Sequence, residues 1–271
     1  MNACGARPRE YMCGHARSVR SLRGFLAAVF LIIGVPVGAA IPDTIDGVKL
    51  SVVAIGSYQR ARSPPFVFRG TGFAVADGLV VATNAHVLPE SLNKDGGERL
   101  TVLTVRKGSD PQAREATVLA VDGAHDLALL RISGAPLPAL QLDPSNSVRE
   151  GQTFAFTGFP VGNVLGFFPV THRGMISSVA PIALPSGSAR QLDQKVIRSL
   201  RAGPFDIFQL DATAYPGNSG SPLYDMQTAR VVGILNMVFV KSTREAVLSQ
   251  PSGISFAVPV VFLLELLSTL K

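Results

Sequence analysis

Short apolar runs separated by glycine, proline, asparagine and aspartate follow one another along the chain from Lys49 to Pro259. Runs of this length, bounded by turn-forming residues, are typical of β-strands. After Pro259, the apolar run Phe262–Leu270 instead predicts a helix. The runs predicted as strands are Val48–Ile55, Phe66–Val75, Leu79–Ala82, Leu100–Val105, Ala116–Val121, Leu127–Ile132, Thr153–Gly158, Val170–Val179, Ile207–Asp211, Pro222–Tyr224, Val231–Val240 and Ile254–Val258. The sequence therefore predicts an all-β protein with a C-terminal helix.

A candidate nucleophile, Ser219, lies in the segment Asp211–Leu223, which reads Asp-Ala-Thr-Ala-Tyr-Pro-Gly-Asn-Ser-Gly-Ser-Pro-Leu. A serine hydroxyl needs a base to take its proton, and donors to hold the charge that develops on the attacked carbonyl oxygen. Gly217 and Gly220 free the backbone for a sharp turn, which can aim the N–H groups of Gly217 and Ser219 at one point. An ordinary surface loop has the same composition, so this segment alone leaves both interpretations open.

A candidate base, His86, follows a predicted β-hairpin. The hairpin turns at Asp77-Gly78, which is a strong turn signal, and its second strand ends at Thr83-Asn84. Between His86 and Ser219, Asp126 leads directly into the apolar run Leu127–Ile132. A buried carboxylate beside a strand is costly unless a donor faces it, and an imidazole N–H would supply one. A lone histidine or aspartate at such a place is more often structural, so the argument rests on all three residues together.

The three segments around these residues resemble the signature blocks of trypsin-like (chymotrypsin-fold) serine proteases, and most closely the bacterial Deg/HtrA-type subgroup. The blocks are Thr83-Asn-Ala-His86, His125-Asp-Leu-Ala-Leu-Leu130 and Gly217-Asn-Ser-Gly-Ser-Pro222. Further matches are Gly158-Phe-Pro-Val-Gly162, Arg173-Gly-Met-Ile-Ser-Ser178, Phe208-Gln-Leu-Asp-Ala212 and Gly253-Ile-Ser-Phe-Ala-Val-Pro259. The order His, Asp, Ser also differs from that of α/β-hydrolases, in which the serine comes first within a Gly-x-Ser-x-Gly motif.

This resemblance implies two antiparallel six-stranded β-barrels in a protease domain over residues 41–271. The first barrel would span about 47–135, the second about 150–258 and the C-terminal helix about 259–270, with no PDZ domain after them. The implied activity is that of a serine endopeptidase that needs no cofactor or metal. His86 would act as general base, Asp126 would orient its imidazole, and the N–H groups of Gly217 and Ser219 would form the oxyanion hole. A non-catalytic peptide-binding protein that retains the fold is the alternative function.

The same resemblance places Thr213, six residues before the nucleophile, at the base of the primary specificity pocket. Leu235, Asn236 and Met237 would form a wall of that pocket. Because Thr213 is uncharged, we expect cleavage after a small or medium apolar residue rather than after Lys or Arg. Asn218 stands where the digestive enzymes have the aspartate that pairs with a newly cut N-terminus, so no activation step of that kind is expected.

The first 40 residues predict a secretory signal peptide. Residues 1–23 carry five arginines against one glutamate, residues 25–41 carry no charge, and this uncharged stretch ends with small residues at Val37-Gly-Ala-Ala40. Cleavage after Ala39 or Ala40 would release a periplasmic or secreted protein. An uncleaved membrane anchor facing the periplasm is the alternative, although the run is short for a span and contains Pro36.

The composition of the chain without this leader indicates which partners to expect. The formal net charge of +6 falls to +2 because the leader holds five of the 25 basic residues and one of the 19 acidic residues. No basic surface that would favour nucleic acid is then left. Both cysteines, Cys4 and Cys13, also lie in the leader. The expected partners are therefore protein or peptide substrates, with a membrane only if the leader is retained, and homo-oligomer formation is left open.

Overall fold

Two closed barrels, each of six antiparallel strands, make up most of the described chain. The structure is a computed structural model, and it describes residues 40–106, 108–145, 147–162, 166–181, 205–236 and 253–270. The strands of the first barrel are β1 Val52–Tyr58, β2 Phe66–Val75, β3 Val80–Asn84, β4 Arg99–Thr104, β5 Gln112–Asp122 and β6 Leu127–Ile132. Those of the second are β7 Thr153–Gly158, β8 Val170–Pro181, β9 Asp206–Asp211, β10 Pro222–Tyr224, β11 Val231–Asn236 and β12 Ile254–Pro259.

The two barrels share one strand order. Around the first barrel it is β1-β2-β3-β6-β5-β4, and β1 pairs with β4 to close the ring. Around the second it is β10-β11-β12-β9-β8-β7, and β10 pairs with β7. Closure leaves no exposed sheet edge, so both sheets satisfy their backbone hydrogen bonds internally. The predicted all-β fold of two six-stranded barrels is confirmed.

The strand predictions are right for most of the chain, and four match the observed bounds to the residue. These four are β2, β6, β7 and β10. The predicted run Val231–Val240 is a strand to Asn236, and its remainder lies outside the described residues. The C-terminal helix, α2, spans Val260–Ser268 and so begins two residues before the predicted Phe262. Helix ends are the least sharply encoded part of such an element.

The first predicted strand begins too early, because a helix, α1, occupies Ile41–Lys49. Proline in the first turn, Asp43 near the N-terminus and Lys49 in the last turn all favour a helix there. Thr44 and Val48, four residues apart, are its buried side chains. The apolar residues from Val48 onward therefore belong to two elements, and β1 starts only at Val52. No described helix combines the length and the apolar character needed to cross a membrane.

The connection between the barrels is extended and hydrogen-bonded to both. Leu137 and Leu140 donate their backbone N–H groups to Gly78 and Ala74 of the first barrel, at 2.9 Å each. A few residues later, Leu142 forms a parallel bridge with Val231 at the start of β11. Side chains of both barrels and of α2 then pack in one core, which includes Phe73, Leu127, Phe159, Ile234 and Leu263. The two barrels are thus fixed against each other along the cleft that carries the candidate site.

Candidate active site

His86 and Asp126 meet at the ends of two paired strands. Strand β3 ends at Asn84, which pairs with Leu127 at the start of β6. A turn of 3₁₀ helix, Ala85–Val87, then presents His86, while Asp126 immediately precedes β6. His86 Nδ1 lies 2.5 Å from Asp126 Oδ2, and the His86 backbone N–H donates to Asp126 Oδ1 at 2.9 Å. Both carboxylate oxygens of Asp126 therefore hold the same histidine.

The backbone of Asp126 is fixed as firmly as its side chain. Its φ is +56°, in the left-handed region that aspartate tolerates better than most residues. Its carbonyl oxygen accepts the Ala85 N–H at 3.0 Å and the Asn84 Nδ2 at 3.1 Å. Asn84 is fully buried. The orientation of the carboxylate thus depends on the turn before β6 and on the end of β3 together.

A third donor reaches Asp126 from the second barrel. Asn236, the last residue of β11, donates from Nδ2 to Asp126 Oδ2 at 2.8 Å. The Asn236 side chain is fully buried. This amide lies between the barrels and points at the carboxylate, and the place in a pocket wall expected for Asn236 stays a prediction. Leu235 is fully buried in the core of the second barrel, and Met237 lies outside the described residues.

The hydrogen bonds to Asp126 set the tautomer of His86. An ionised carboxylate only accepts, so the proton between the two side chains belongs to Nδ1 of the imidazole. Nε2 is then the basic nitrogen of the neutral ring. The His86 side chain is about a quarter exposed, at 26%. Asp126 thus orients the imidazole through Nδ1, and the partly exposed ring can accept a proton at Nε2.

Ser219 lies in the turn between β9 and β10, and three backbone hydrogen bonds attach this turn to β11 and β2. Gly220 N–H donates to the Leu235 carbonyl and Leu235 N–H donates to the Ser221 carbonyl, both at 2.9 Å. From the first barrel, Thr71 N–H donates to the Ser219 carbonyl at 2.8 Å. Ser219 itself is 5% exposed. The turn is thus attached to β11, the strand that also carries Asn236, and to β2.

Val87, the residue after His86, and the backbone of Ser219 both lie beside Gly70 of β2. A Cβ at Gly70 would lie 2.7 Å from Cγ2 of Val87, the residue after His86, and 3.1 Å from the Ser219 carbonyl oxygen. His86 is in turn bonded to Asp126, and Asp126 to Asn236 at the end of β11. The structure therefore brings the neighbourhoods of the three predicted triad residues to one place between the barrels.

Two glycines allow the sharp turn around Ser219. Gly217 has a φ of +102° and Gly220 a φ of +84°, both in the region where a side chain is strained. A Cβ at Gly217 would also collide with the Phe159 carbonyl oxygen, and one at Gly220 would collide with the Thr71 carbonyl oxygen. Any larger residue at either position would therefore displace the Ser219 turn.

The N–H groups of Gly217 and Ser219 have defined directions. The carbonyl of Pro216 accepts the Val161 N–H at 2.9 Å, and the carbonyl of Asn218 accepts the Ser221 N–H at 3.0 Å. In a trans peptide the N–H of the next residue points opposite to the carbonyl. Both N–H groups thus point away from these anchoring bonds. Neither of them donates to another group among the hydrogen bonds of the described residues.

Thr213 lies in the segment that links β9 to the Ser219 turn. Its neighbours Ala212 and Ala214 are buried, and Thr213 itself is half-buried and uncharged. The Ala212 backbone is anchored to the segment around β12, because its N–H donates to the Gly253 carbonyl at 2.9 Å and its carbonyl accepts the Ser255 hydroxyl at 2.6 Å. The segment before the candidate nucleophile is therefore held in place up to Thr213.

A half-buried histidine, His172 of β8, lies beside this segment. Its ring stacks on Phe156 with the centroids 5.1 Å apart, and the Tyr215 ring is 6.2 Å away. Burial lowers the pKa of His172, so the ring is neutral at neutral pH. Within the described part of the chain, no three His, Cys, Asp or Glu side chains come together so that they could hold a metal ion.

The sequence did not reveal two polar contacts of the site. Asn236 was expected in the pocket wall, and Thr71 was read only as part of a strand. Their partners, Asp126 for Asn236 and Gly217 and Ser219 for Thr71, lie on the other barrel. Strand periodicity gives the face on which a residue lies but not the barrel that it meets. One usable signal was the type of residue, because a buried polar side chain requires a partner.

The chain is similar to known peptidases. The family model of the trypsin-like peptidase domain matches residues 70–234. A probable periplasmic serine endoprotease, DegP-like, of Pseudomonas savastanoi is 29% identical over 202 residues, which cover 74% of this chain and 34% of the relative. The DegP-like protein of Ectopseudomonas mendocina is 32% identical over 203 residues, covering 74% and 35%.

Two further relatives extend the comparison. The putative serine protease HhoA of Synechocystis is 29% identical over 194 residues, covering 71% of this chain and 40% of the relative. The crystal structure of the serine endoprotease from Yersinia pestis superimposes with a TM-score of 0.59 at 21% identity, covering 86% of this chain and 67% of that one, and it supports the fold. The chain spans about a third of the length of the DegP-like relatives. The family model covers more than half of the 271 residues, and the chain belongs to the trypsin-like peptidase domain family.

Proposed function

We propose that the protein is a serine endopeptidase that hydrolyses peptide bonds through an acyl-enzyme intermediate. The observation that carries this proposal is the Asp126 carboxylate, which accepts hydrogen bonds from His86 Nδ1 at 2.5 Å and from Asn236 Nδ2 at 2.8 Å. A carboxylate held in this way keeps the histidine in the tautomer that a general base requires. Membership of the peptidase family and the attachment of the Ser219 turn to the same strand as Asn236 support the proposal.

The mechanism that follows has two halves. In the first, His86 Nε2 takes the proton of Ser219 Oγ as the oxygen attacks the substrate carbonyl carbon, and the same proton then passes to the leaving amine as the C–N bond breaks. In the second, His86 takes a proton from water, the hydroxide attacks the acyl ester, and the proton returns to Ser219 Oγ. Asp126 stays ionised throughout and stabilises the imidazolium that forms in each half.

The charge that develops on the substrate carbonyl oxygen would be held by the N–H groups of Gly217 and Ser219. The carbonyls of the same two peptides, those of Pro216 and Asn218, are fixed by hydrogen bonds on the opposite side. The N–H groups therefore need no reorganisation when the charge appears. Donors fixed in advance are worth more than mobile ones, because the reaction does not have to align them.

The substrates proposed are proteins or peptides with a small or medium apolar residue before the cleaved bond. Thr213 is uncharged and His172 is neutral, so neither of these two residues supplies a fixed charge that would attract a basic or an acidic side chain. A library of peptide substrates that vary only at this residue tests the preference. Fastest cleavage after Lys, Arg, Asp or Glu would contradict it.

The protein is further proposed to act outside the cytoplasm. The arginine-rich start and the uncharged stretch over residues 25–41 support export, and the DegP-like relatives are named periplasmic. N-terminal sequencing of the protein purified from its cells tests this. A sequence starting at Ala40 or Ile41 indicates release, whereas an intact leader in the membrane fraction indicates an anchored enzyme.

Labelling with a fluorophosphonate probe, beside a Ser219→Ala control, tests the catalytic proposal. The probe phosphonylates an activated serine with loss of fluoride, so wild-type protein should label and the variant should not. A probe that labels neither protein, with and without added unfolded protein as an activator, would refute the proposal. Retained binding of peptides in that case would support the alternative, a peptide-binding protein with the protease fold.

A further inference from the structure

Thr71 of β2 has a set of hydrogen bonds that its place in the first barrel does not explain. It is fully buried. Its hydroxyl donates to the Gly217 carbonyl at 2.7 Å, and its backbone N–H donates to the Ser219 carbonyl at 2.8 Å. A third bond, from the Thr83 hydroxyl to the Thr71 carbonyl at 2.7 Å, fixes Thr71 within its own barrel. Thr71 thus connects a rigid strand of one barrel to the candidate catalytic turn of the other.

We propose that Thr71 is a positioning residue for catalysis, which holds the oxyanion-hole backbone in its working conformation from across the cleft. The inference rests on the proposed function, because it concerns the same site. Thr71 touches no reacting atom, so its effect must pass through the backbone of Gly217 and Ser219.

The hydroxyl of Thr71 has only one direction in which to donate. Its Oγ1 accepts the Phe159 N–H at 3.1 Å, and the remaining proton lies on the bond to the Gly217 carbonyl. Phe159 is itself fully buried in the core shared by the barrels. The hydroxyl therefore links the Gly217 carbonyl to the backbone of a residue in the buried core.

The bond from Thr71 completes the anchoring of Gly217. Gly217 has more backbone freedom than a residue with a side chain, and its φ of +102° lies in the region that favours glycine. The peptide before it is held by the bond between Val161 N–H and the Pro216 carbonyl, and the peptide after it by the Thr71 hydroxyl. With both flanking peptides fixed, neither backbone torsion of Gly217 can change alone, and its N–H keeps its direction.

Ser219 is anchored in the same way. The peptide before it is held through the Asn218 carbonyl, which accepts the Ser221 N–H at 3.0 Å. The peptide after it is held through its own carbonyl, which accepts the Thr71 N–H. Thr71 thus supplies an anchor to the peptide after each of the two oxyanion donors, beside the Asn218 N–H bond to the Tyr215 carbonyl at 3.0 Å and the Gly220 N–H bond to the Leu235 carbonyl at 2.9 Å.

The side chains of the turn do not replace Thr71 in this role. Asn218 and Ser221 are fully buried, and the polar atoms of both side chains lack a hydrogen-bond partner within the described residues. Asn218 Oδ1 and Thr71 Oγ1 would each lie 2.9 Å from a Cβ at Gly158, so they face the same small space. Of these neighbouring polar groups, the Thr71 hydroxyl is the one bonded to the turn, and its loss would leave the Gly217 carbonyl and the Phe159 N–H unpaired.

The test compares Thr71→Val, which keeps the shape but removes the hydroxyl, with Thr71→Ser, which keeps the hydroxyl. We expect fluorophosphonate labelling of Thr71→Val to be about 10- to 100-fold slower, below the effect of deleting an oxyanion donor itself. Thr71→Ser should label within about threefold of wild type. With a cleaved peptide, kcat should fall and KM should change little, because the donors act on the transition state.

Thr157→Val serves as the matched control. Thr157 is another fully buried threonine, and its hydroxyl bonds to Tyr224 at 2.9 Å and Thr171 at 2.8 Å rather than to the Ser219 turn. Loss of the Thr157 hydroxyl should lower the melting temperature as Thr71→Val does, while the labelling rate stays at the wild-type level. Equal labelling of folded Thr71→Val and wild type would overturn the inference.

Two further measurements keep the inference open to refutation. If Thr71→Val does not fold, Thr71→Cys and Thr71→Ser are compared, because a thiol is a much weaker donor and acceptor than a hydroxyl; equal labelling rates would contradict the inference. If wild-type protein does not label at all, the proposed function fails by itself. Amide hydrogen exchange then decides, since Thr71→Val, and not Thr157→Val, should accelerate exchange at the Asn218 and Gly220 N–H groups, and unchanged exchange at both would overturn the inference.

Discussion

The described part of the chain contains two histidine–aspartate pairs of nearly the same geometry, and they differ in what surrounds them. In one, His86 donates its backbone N–H to Asp126 Oδ1 at 2.9 Å, and its Nδ1 lies 2.5 Å from Oδ2. In the other, His125 donates its N–H to Asp122 Oδ1 at 3.2 Å, and its Nδ1 lies 2.6 Å from Oδ2. The second pair closes within a turn of four residues, whereas the first joins residues 40 apart.

The environment of each ring separates the two pairs. His125 stacks on Phe262 of α2, with centroids 3.8 Å apart and planes 15° apart, and its edge meets Phe205 at 4.7 Å. The His125 pair therefore fastens the C-terminal helix to the end of the first barrel. The Asp126 carboxylate instead accepts a donor from the second barrel, Asn236, at the end of β11, the strand to which the Ser219 turn is hydrogen-bonded. A histidine–aspartate pair is thus not a catalytic signature by itself, and the elements that surround it decide its role.

Exchanging one carboxylate at a time for an amide separates the two roles most strongly. Asp126→Asn should reduce kcat by about 10⁴-fold, because the amide stabilises neither the correct tautomer nor the imidazolium. Asp122→Asn should leave kcat unchanged and lower the free energy of unfolding by about 1–3 kcal/mol, since it weakens a half-buried hydrogen-bonded pair. Peptide hydrolysis and urea unfolding of both variants measure this. A loss of activity in Asp122→Asn at a temperature where it is folded would show that the pairs are not independent.

A smaller effect is expected from the amide that distinguishes the Asp126 pair. Asn236→Leu keeps the branching and the number of heavy atoms of the side chain but removes one of the three donors to the carboxylate. A hydrogen bond to a charged group contributes about 1.5–3 kcal/mol, so kcat should fall by about tenfold or somewhat more. KM should stay near its wild-type value, because Asn236 is fully buried and orients a catalytic group. An increase in KM with unchanged kcat would instead assign Asn236 to substrate binding.

The sequence predicted most of the strands because each strand carries its own signal, and the resemblance supplied their arrangement in two barrels. The run Leu127–Ile132 is apolar at almost every position, and it is flanked by turn residues, so its bounds are encoded locally. Helix α1 was missed because its nine residues contain both Pro42 and Gly47, and its last apolar residue leads without a break into the apolar start of β1. The helix depends on the burial of Thr44 and Val48, which is a tertiary effect.

Only the residues of the candidate site that lie within sequence motifs could be predicted. His86, Asp126 and Ser219 each stand at a recognisable strand end or turn. The contacts of Asn236 with Asp126 and of Thr71 with Gly217 span 110 and 146 residues and cross the cleft. Such contacts depend on how the barrels pack, which alternating polarity does not specify. The adjacent His125 and Asp126 are a further example, because they belong to different pairs.

The smallest effect on stability is expected at an ion pair that contains no histidine. Its response to acid can therefore be measured independently of both histidine–aspartate pairs. The Glu98 carboxylate accepts the Ser57 hydroxyl at 2.6 Å, the Asn93 N–H at 3.0 Å and Arg62 Nη1 at 2.7 Å. These hydrogen bonds, that from Ser57 above all, lower the pKa of Glu98 from 4.5 to about 2. The folded state therefore favours the ionised form.

The direction of the pH dependence follows from this lowered pKa. The stabilisation by Glu98 is complete above the unfolded value of 4.5 and is lost as the pH falls toward about 2, where the folded carboxyl takes up its proton. Glu98→Gln should therefore unfold at lower urea concentration than wild type at pH 7, and the difference should shrink between pH 4.5 and pH 2.5. The control is Glu115→Gln, because Glu115 and Arg99 are more than half exposed and 3.4 Å apart. An exposed pair of this kind contributes little, so that variant should follow wild type throughout. A difference for Glu98→Gln that stays constant down to pH 2.5 would mean that the carboxylate is held by packing and not by its charge.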